Sequence, residues 1–287
     1  IVSDTQKFDQ INLSINDIST YQTDKYWIAE GSKGLRSIQR KGSNSFEALN
    51  EPIILDGPYS NSAFDIVCKN DKVYMIIGGK DLLNGKRFDK GGYILTYDYD
   101  KWSFIDPKEA QKKLNLPRNP RDYTSIAVTT DDSNDEIVYA SSMGDGVIQY
   151  KNGTPVQSYN EKNAFKETAG GYGSGYCYID GLAFDKNGNL WMTSSEVNHA
   201  VLVLDKAGAW HRLDIEQLRG VYTINDILIT STNDKWIYVP RNTPKLVMIP
   251  NSESLDEVSS YEFTTLIDTD GKELTPSNYT CVAEDKD

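Results

Sequence analysis

Nine basic residues crowd one stretch of an otherwise acidic chain: Lys80, Lys86, Arg87 and Lys90, then Lys108, Lys112, Lys113, Arg118 and Arg121. Guanidinium forks and ammonium groups suit phosphate or carboxylate ligands. Residues 80–121 hold ten Lys or Arg against six Asp or Glu, a local +4. The whole chain of 287 residues carries −12, so the remainder carries −16. That acidic bulk excludes a nucleic-acid partner, which needs a basic face. The expected anion contacts are Lys86, Arg87, Lys112, Lys113 and Arg118. The Gly-rich run from Gly170 to Tyr176 adds Tyr172 and Tyr176 as rings that could stack on a sugar. This run neither follows a strand nor opens a helix, so it is no dinucleotide cradle.

Catalysis and metal binding find little support. His199 and His211 are the only histidines, and no GxSxG, HExxH or phosphate-loop pattern occurs. Both histidines read as surface residues, one in a loop and one on an outer strand. Asp185-Lys186-Asn187-Gly188-Asn189 and Asp268-Thr269-Asp270-Gly271 resemble parts of a calcium loop. Neither ends in the bidentate Glu that such a loop requires, and both read as hairpin turns. No metal and no cofactor is expected. Cys68, Cys177 and Cys281 are widely spaced. Cys68 and Cys281 fall at equivalent points of a repeat and read as small apolar residues of inner strands. They do not decide a redox compartment.

The elements that must position these residues form a repeat. An apolar strand runs into a polar turn, and a second strand opens with an aromatic. Asp185 through Thr193 shows the phrase best. The anchoring aromatics Trp27, Tyr74, Tyr139, Trp191 and Trp236 stand about 45 to 65 residues apart. Strand-built self-similarity at that period indicates the blades of an all-β propeller, four antiparallel strands to a blade. The blades span about 15–55, 64–105, 123–159, 179–213 and 223–267, with a partial sixth at 279–287. Phe8–Leu13 reads as an outer strand of a preceding blade, which makes the chain a fragment of a larger ring. The opening Ile1-Val2-Ser3-Asp4 carries no Met and no signal peptide, so whatever preceded it has been removed. No apolar run is long enough to span a bilayer.

In such a ring the turns between first and second strands, and between third and fourth, share one end. The remaining loops share the other end. Here the first set is short and the second long: Gly78–Gly92, Asp106–Asp122 and Asn160–Tyr176. Long loops on a rigid scaffold carry function, and these three should meet on one face. Asp106 caps a short helix with Pro107 in its first turn and Glu109 beside the cap, ended by Pro117 and Pro120. Asp214–Arg219 forms another helical turn, closed by Gly220.

Several phrases carry a family likeness. Tyr26-Trp27-Ile28-Ala29-Glu30 with Lys33-Gly34-Leu35, Val138 to Ser142 with Gly144-Asp145-Gly146, and Asp180 to Asp185 through Asn189-Leu190-Trp191 resemble the two-component-regulator propeller repeats of Bacteroidetes. The blade-2 insertion and Tyr150-Lys151-Asn152-Gly153 resemble the PorZ-type proteins of the type IX (Por) secretion system. That resemblance implies an exported, cell-surface or periplasmic accessory protein without enzymatic activity. Its partner would be a protein or an anionic polysaccharide or lipopolysaccharide, and it would not insert directly into a membrane. It transfers no binding residues. The alternative within the resemblance is the periplasmic, oligosaccharide-sensing propeller of a hybrid histidine kinase. A six-bladed lactonase or lyase would instead need acidic and amide ligands around a central metal.

Overall fold

The computed structural model describes residues 16–30, 34–43, 45–53, 57–82, 84–165 and 175–285. The expected strand at Phe8–Leu13 and the ring of Tyr172 lie outside them. The chain forms two compact units, residues 1–57 and 58–287. The first holds one four-stranded antiparallel sheet in sequence order: β1 (Asp17–Gln22), β2 (Lys25–Ala29), β3 (Leu35–Arg40) and β4 (Phe46–Ala48). Tyr26 meets Phe46 edge-on at 6.1 Å. The Asn50 carboxamide accepts both the Ser37 amide (2.8 Å) and its hydroxyl (2.6 Å), which fixes the chain after β4.

The second unit repeats the same meander. Blade 2 is β5 (Ala63–Lys69), β6 (Lys72–Ile77), β7 (Ile94–Asp98) and β8 (Lys101–Ile105). After helix α1 (Pro107–Leu114), blade 3 is β9 (Tyr123–Thr130), β10 (Glu136–Gly144), β11 (Gly146–Lys151) and β12 (Thr154–Tyr159). Blade 4 is β13 (Cys177–Phe184), β14 (Leu190–Ser194), β15 (Val201–Leu204) and β16 (Trp210–Leu213). Blade 5 is β17 (Ile227–Ile229), β18 (Lys235–Val239), β19 (Lys245–Ile249) and β20 (Tyr261–Phe263). The small hairpin β21 (Leu266–Ile267) and β22 (Glu273–Leu274) follows. The inner strands β5, β9, β13 and β17 lie side by side in that order, as blades around an axis require.

Apolar layers between successive blades form the core. Tyr74, Ile76 and Ile94 of blade 2 meet Ile126, Val138 and Ile148 of blade 3. Tyr139 and Val147 of blade 3 meet Ile179, Leu190 and Leu202 of blade 4. Val201 and Val203 of blade 4 meet Ile227, Ile237 and Val247 of blade 5. Blades 3 and 4 are joined further by a short antiparallel ladder, Met143 with Tyr178 and Gly144 with Cys177. Elsewhere side-chain oxygens bridge the inner strands. Asp65 accepts from the Ile126 amide (3.1 Å), Ser125 from the Leu182 amide (3.1 Å), and Thr193 donates to the Asn225 carbonyl (3.0 Å). Gly181 permits a close approach of blades 4 and 5: a Cβ there would lie 2.7 Å from the Ile227 nitrogen.

The repeated Asp at the end of the first strand has a mechanical role. Asp185 accepts from the amides of Asn187 (2.9 Å) and Asn189 (2.8 Å) and from the Trp191 indole (2.9 Å). Asp131 and Asp268 accept in the same way from backbone amides two and four residues on. Both suspected calcium fragments are therefore self-bonded turns. α1 also forms as its sequence dictates, with the Asp106 carboxylate accepting from the Lys108 amide (2.9 Å). It ends at Asn115, in the left-handed region (φ 52°), before either proline. The second helical turn is a 3-10 helix, Glu216–Leu218.

Two expectations change. Cys68 and Cys281 are exposed, and only Cys177 is buried. Val67 points into the layer shared with blade 3, so alternation along β5 turns Cys68 to the other side. Tyr279–Ala283 forms no ladder among the described residues. It lies along blade 5 instead. The Tyr279 amide donates to the Pro240 carbonyl (3.0 Å), and the Tyr238 hydroxyl to the Thr280 carbonyl (3.2 Å).

Replacing Asp185 by Ala strands a buried indole N–H and two amides. This should cost about 3 kcal/mol of stability. Denaturant unfolding of the Asp185→Ala variant checks it, with Asp268→Ala in the exposed hairpin as the near-neutral comparison.

Candidate functional site

The long loops of blades 2 to 4 meet on one face. Gly91 of the blade-2 loop bridges Arg121 of the next connection. Arg87 hydrogen-bonds Tyr176, which leads into blade 4. The short turns gather elsewhere: Lys206 reaches Asp132 (3.7 Å), and the Lys186 amide donates to the Asn233 carboxamide (2.9 Å).

Carboxylates that sequence reasoning did not single out hold the loops together. The fully buried Asp122 accepts from the amides of Asp89 (3.2 Å) and Lys90 (2.9 Å), with the Arg87 guanidinium 3.8 Å away. Burial holds its carboxyl above the ordinary range, and those amides and Arg87 oppose the shift. Asp145, at the β10–β11 turn, accepts from the Arg118 guanidinium (2.8 Å) and from the Arg121 amide (3.2 Å). These partners are 24 and 27 residues away in sequence, with no local pattern to reveal them.

The cationic residues therefore divide. Arg87 is committed to Asp89 (2.6 Å), Asp122 and Tyr176. Arg118 is half-exposed and committed to Asp145. Lys86, Lys90, Lys112 and Lys113 are exposed and make no ion pair among the described residues. Lys112 and Lys113 lie in the last turn of α1, which packs on β12. Among the described residues no ion pair links them to Arg87. Tyr176 is half-buried and meets Tyr178 edge-on at 6.4 Å. Tyr172 lies outside the described residues.

Lys80 departs most from expectation. Its sequence neighbours suggest a surface cation, yet the side chain is 1% exposed. The ammonium pairs with the buried Asp180 of β13, donates to the Ile224 carbonyl (3.1 Å) and lies 5.0 Å from the centre of the Tyr178 ring. Ser195 donates to the other Asp180 oxygen (2.6 Å) and accepts from the Ile224 amide (2.8 Å). Farther along the loop, a Cβ on Gly85 would lie 2.5 Å from the Arg241 guanidinium. A loop of blade 2 thus reaches blades 4 and 5, passing over the inner strand of blade 3.

Beneath it the inner strands contribute acids. Burial pushes Asp180 up to about 6, against the pull of Lys80. Asp226 rises to about 7, from burial first and then from the charge of Asp65. Asp65 is itself raised by burial. This arrangement can hold a proton or an ammonium group. Among the described residues no group of three or more His, Cys, Asp or Glu is placed to hold a metal ion. His211 lies away from the loop face, between Asp205 (3.1 Å) and Asp256 (3.0 Å), whose carboxylates raise its pKa.

No family model matches the chain, and no curated protein does. Among solved structures it is similar to PorZ of Porphyromonas gingivalis, a bacterial surface component of the type IX secretion system. The TM-score is 0.69 at 19% identity, over 92% of this chain and 35% of that one. The chain thus spans about a third of that protein's length. It also aligns with the extracellular domain of a protein described as a hybrid two-component system from B. thetaiotaomicron, at TM-score 0.49 and 17% identity. That alignment covers 96% of this chain and 31% of the other. A third, at TM-score 0.43 and 10% identity, is with a protein described as a 6-phosphogluconolactonase from Bacteroides uniformis, covering 87% and 73%. The PorZ alignment establishes the propeller fold. No helix among the described residues is long and apolar enough to cross a membrane.

The raised carboxyl of Asp226 sets a pH dependence. Its pKa is higher folded than unfolded, so between about 4 and 7 the folded chain keeps a proton that the unfolded chain releases. Stability from this group should rise as pH falls from 8 to 5. Asp226→Asn should flatten that rise and add about 1–2 kcal/mol at pH 8, discounted for partial solvent access. Thermal melts of both proteins across this range measure the effect.

Proposed function

We propose that this chain is a non-enzymatic propeller module of an exported envelope protein, and that it binds an anionic glycan or a partner protein through its long-loop face. The assembly that fits best is type IX secretion, in which it would serve as an accessory component. The observation that carries the reading is the convergence of the loops bearing Lys86, Lys90 and Arg87 with the segments bearing Arg118, Arg121 and Tyr176. The fold shared with PorZ supports it.

Within that face the pairing of charges assigns different roles. Arg87, Arg118 and Arg121 have nearby carboxylate partners, which orient their guanidinium groups. Lys86, Lys90, Lys112 and Lys113 would supply the uncompensated charge that attracts a polyanion. Exposed ammonium groups act over about one Debye length, so binding should weaken with salt. Rigid blades beneath the loops keep the entropy cost of docking small.

The test is binding of an anionic lipopolysaccharide at low salt to the Lys86→Glu, Lys112→Glu, Lys113→Glu triple variant. Arg87 is spared because it stitches the loops. Affinity should drop about tenfold or more, with a shallower salt dependence than the parent. Equal affinity of variant and parent would remove the anionic patch from the account.

A further inference from the structure

We propose that Lys80 is a positioning residue whose ammonium fills an ammonium cradle built by blades 4 and 5, and so fixes residues 80–82 and 84–87 of the blade-2 loop. The cradle has the parts such a site needs. Asp180 supplies the charge, the Ile224 carbonyl a second acceptor and the Tyr178 ring a π-face. Asp180 is held by Ser195, which the Ile224 amide holds in turn, so one network fixes both acceptors.

The loop has other ties as well. Its far end is tied down separately, through Phe88 to the Gly79 carbonyl (3.2 Å), through Asp89 and Lys90 to Asp122, and through Gly91 to Arg121. Between those ties, the backbone amides of Asp81 and Gly85 bond within the loop. The Asp81 amide donates to the Lys86 carbonyl (2.8 Å) and the Gly85 amide to the Asp81 carbonyl (2.7 Å). Lys80 opens this stretch and is its only fully buried side chain among the described residues. Lys86 and Arg87 sit on the same stretch, so the clamp also presents them to a ligand. That consequence rests on the function proposed above, whereas the clamp does not.

Charged and titratable groups surround the cradle on every side. Lys80 comes from the loop, Asp180 and Tyr178 from β13, Glu196 from the turn after β14, and Asp226 from the segment before β17. Asp65 faces Asp226 from β5. A buried ammonium among these acids is compensated, whereas an empty cradle leaves Asp180 desolvated without its cation.

Chemical rescue tests the proposal. Lys80→Ala opens a space the length of an alkylamine, and n-propylammonium is the probe. Hydrogen exchange at the Asp81 and Gly85 amides should rise at least tenfold in Lys80→Ala, while Phe88 and Lys90 stay within a few-fold of the parent. Millimolar n-propylammonium should restore the slow exchange, and n-propanol, of equal size but uncharged, should not. Lys80→Met fills the space with an apolar stem. It should show the loosened loop without amine rescue, and it serves as the folded reference if the alanine variant is unstable. Unchanged exchange at Asp81 and Gly85 in either variant would overturn the clamp. Equal effects of amine and alcohol would overturn the ammonium cradle. Glycan affinity measured on the same variants separates the two claims. A parent that binds no polyanion rejects the proposed function and leaves the clamp standing.

Discussion

One buried ion pair joins the blade-2 loop to the inner strand of blade 4. An ammonium group removed from water must meet opposite charge, and Lys80 meets it at Asp180, 100 residues away in sequence. The blade-2 loop can satisfy that demand only by crossing the inner end of blade 3. Its course is therefore set by the arrangement of blades 2, 4 and 5 together. Such a pair is weak evidence for overall stability, because desolvation opposes the attraction. What it supplies is a fixed point for the loop, with Lys80 held between Asp180 and the Ile224 carbonyl.

The same logic extends outward with decreasing burial. Asp122 is fully buried and fastens two loops through backbone amides. Asp145 is partly exposed and fastens Arg118 and Arg121. At the rim stand lysines without ion pairs among the described residues. Charge is thus compensated near the axis, where the dielectric is low, and left free at the edge, where water stabilises it. A polyanion approaching this face would meet a firm inner surface and an adaptable cationic margin.

Much of the architecture was legible in the sequence because it is local. The Asp-x-x-x turn phrase, the aromatic that opens the second strand and the Asp106-Pro107 cap each act within a few residues. The fourth blade, β13 to β16, is built from such local signals. What was not legible is long-range. Lys80 looks like its neighbours Lys86 and Lys90, and nothing nearby announces a partner at Asp180. Asp122 and Asp145 resemble ordinary turn residues until the loops they join are seen together. Cys68 kept its place on an inner strand but faces away from the layer shared with blade 3, a matter of one step in alternation. The loop convergence was foreseen from topology alone. The pairing of Arg87 and Arg118 with carboxylates was not, and it shifts the free charge to the lysines.

The Lys80–Asp180 pair ties the blade-2 loop to blade 4. A double-mutant cycle in urea measures it most directly, using Lys80→Met, Asp180→Asn and the double variant. The expected coupling is about 2 kcal/mol or more, with the double variant more stable than the sum of the single effects implies. Additivity within about 0.5 kcal/mol would mean that the two side chains do not touch, and would contradict it.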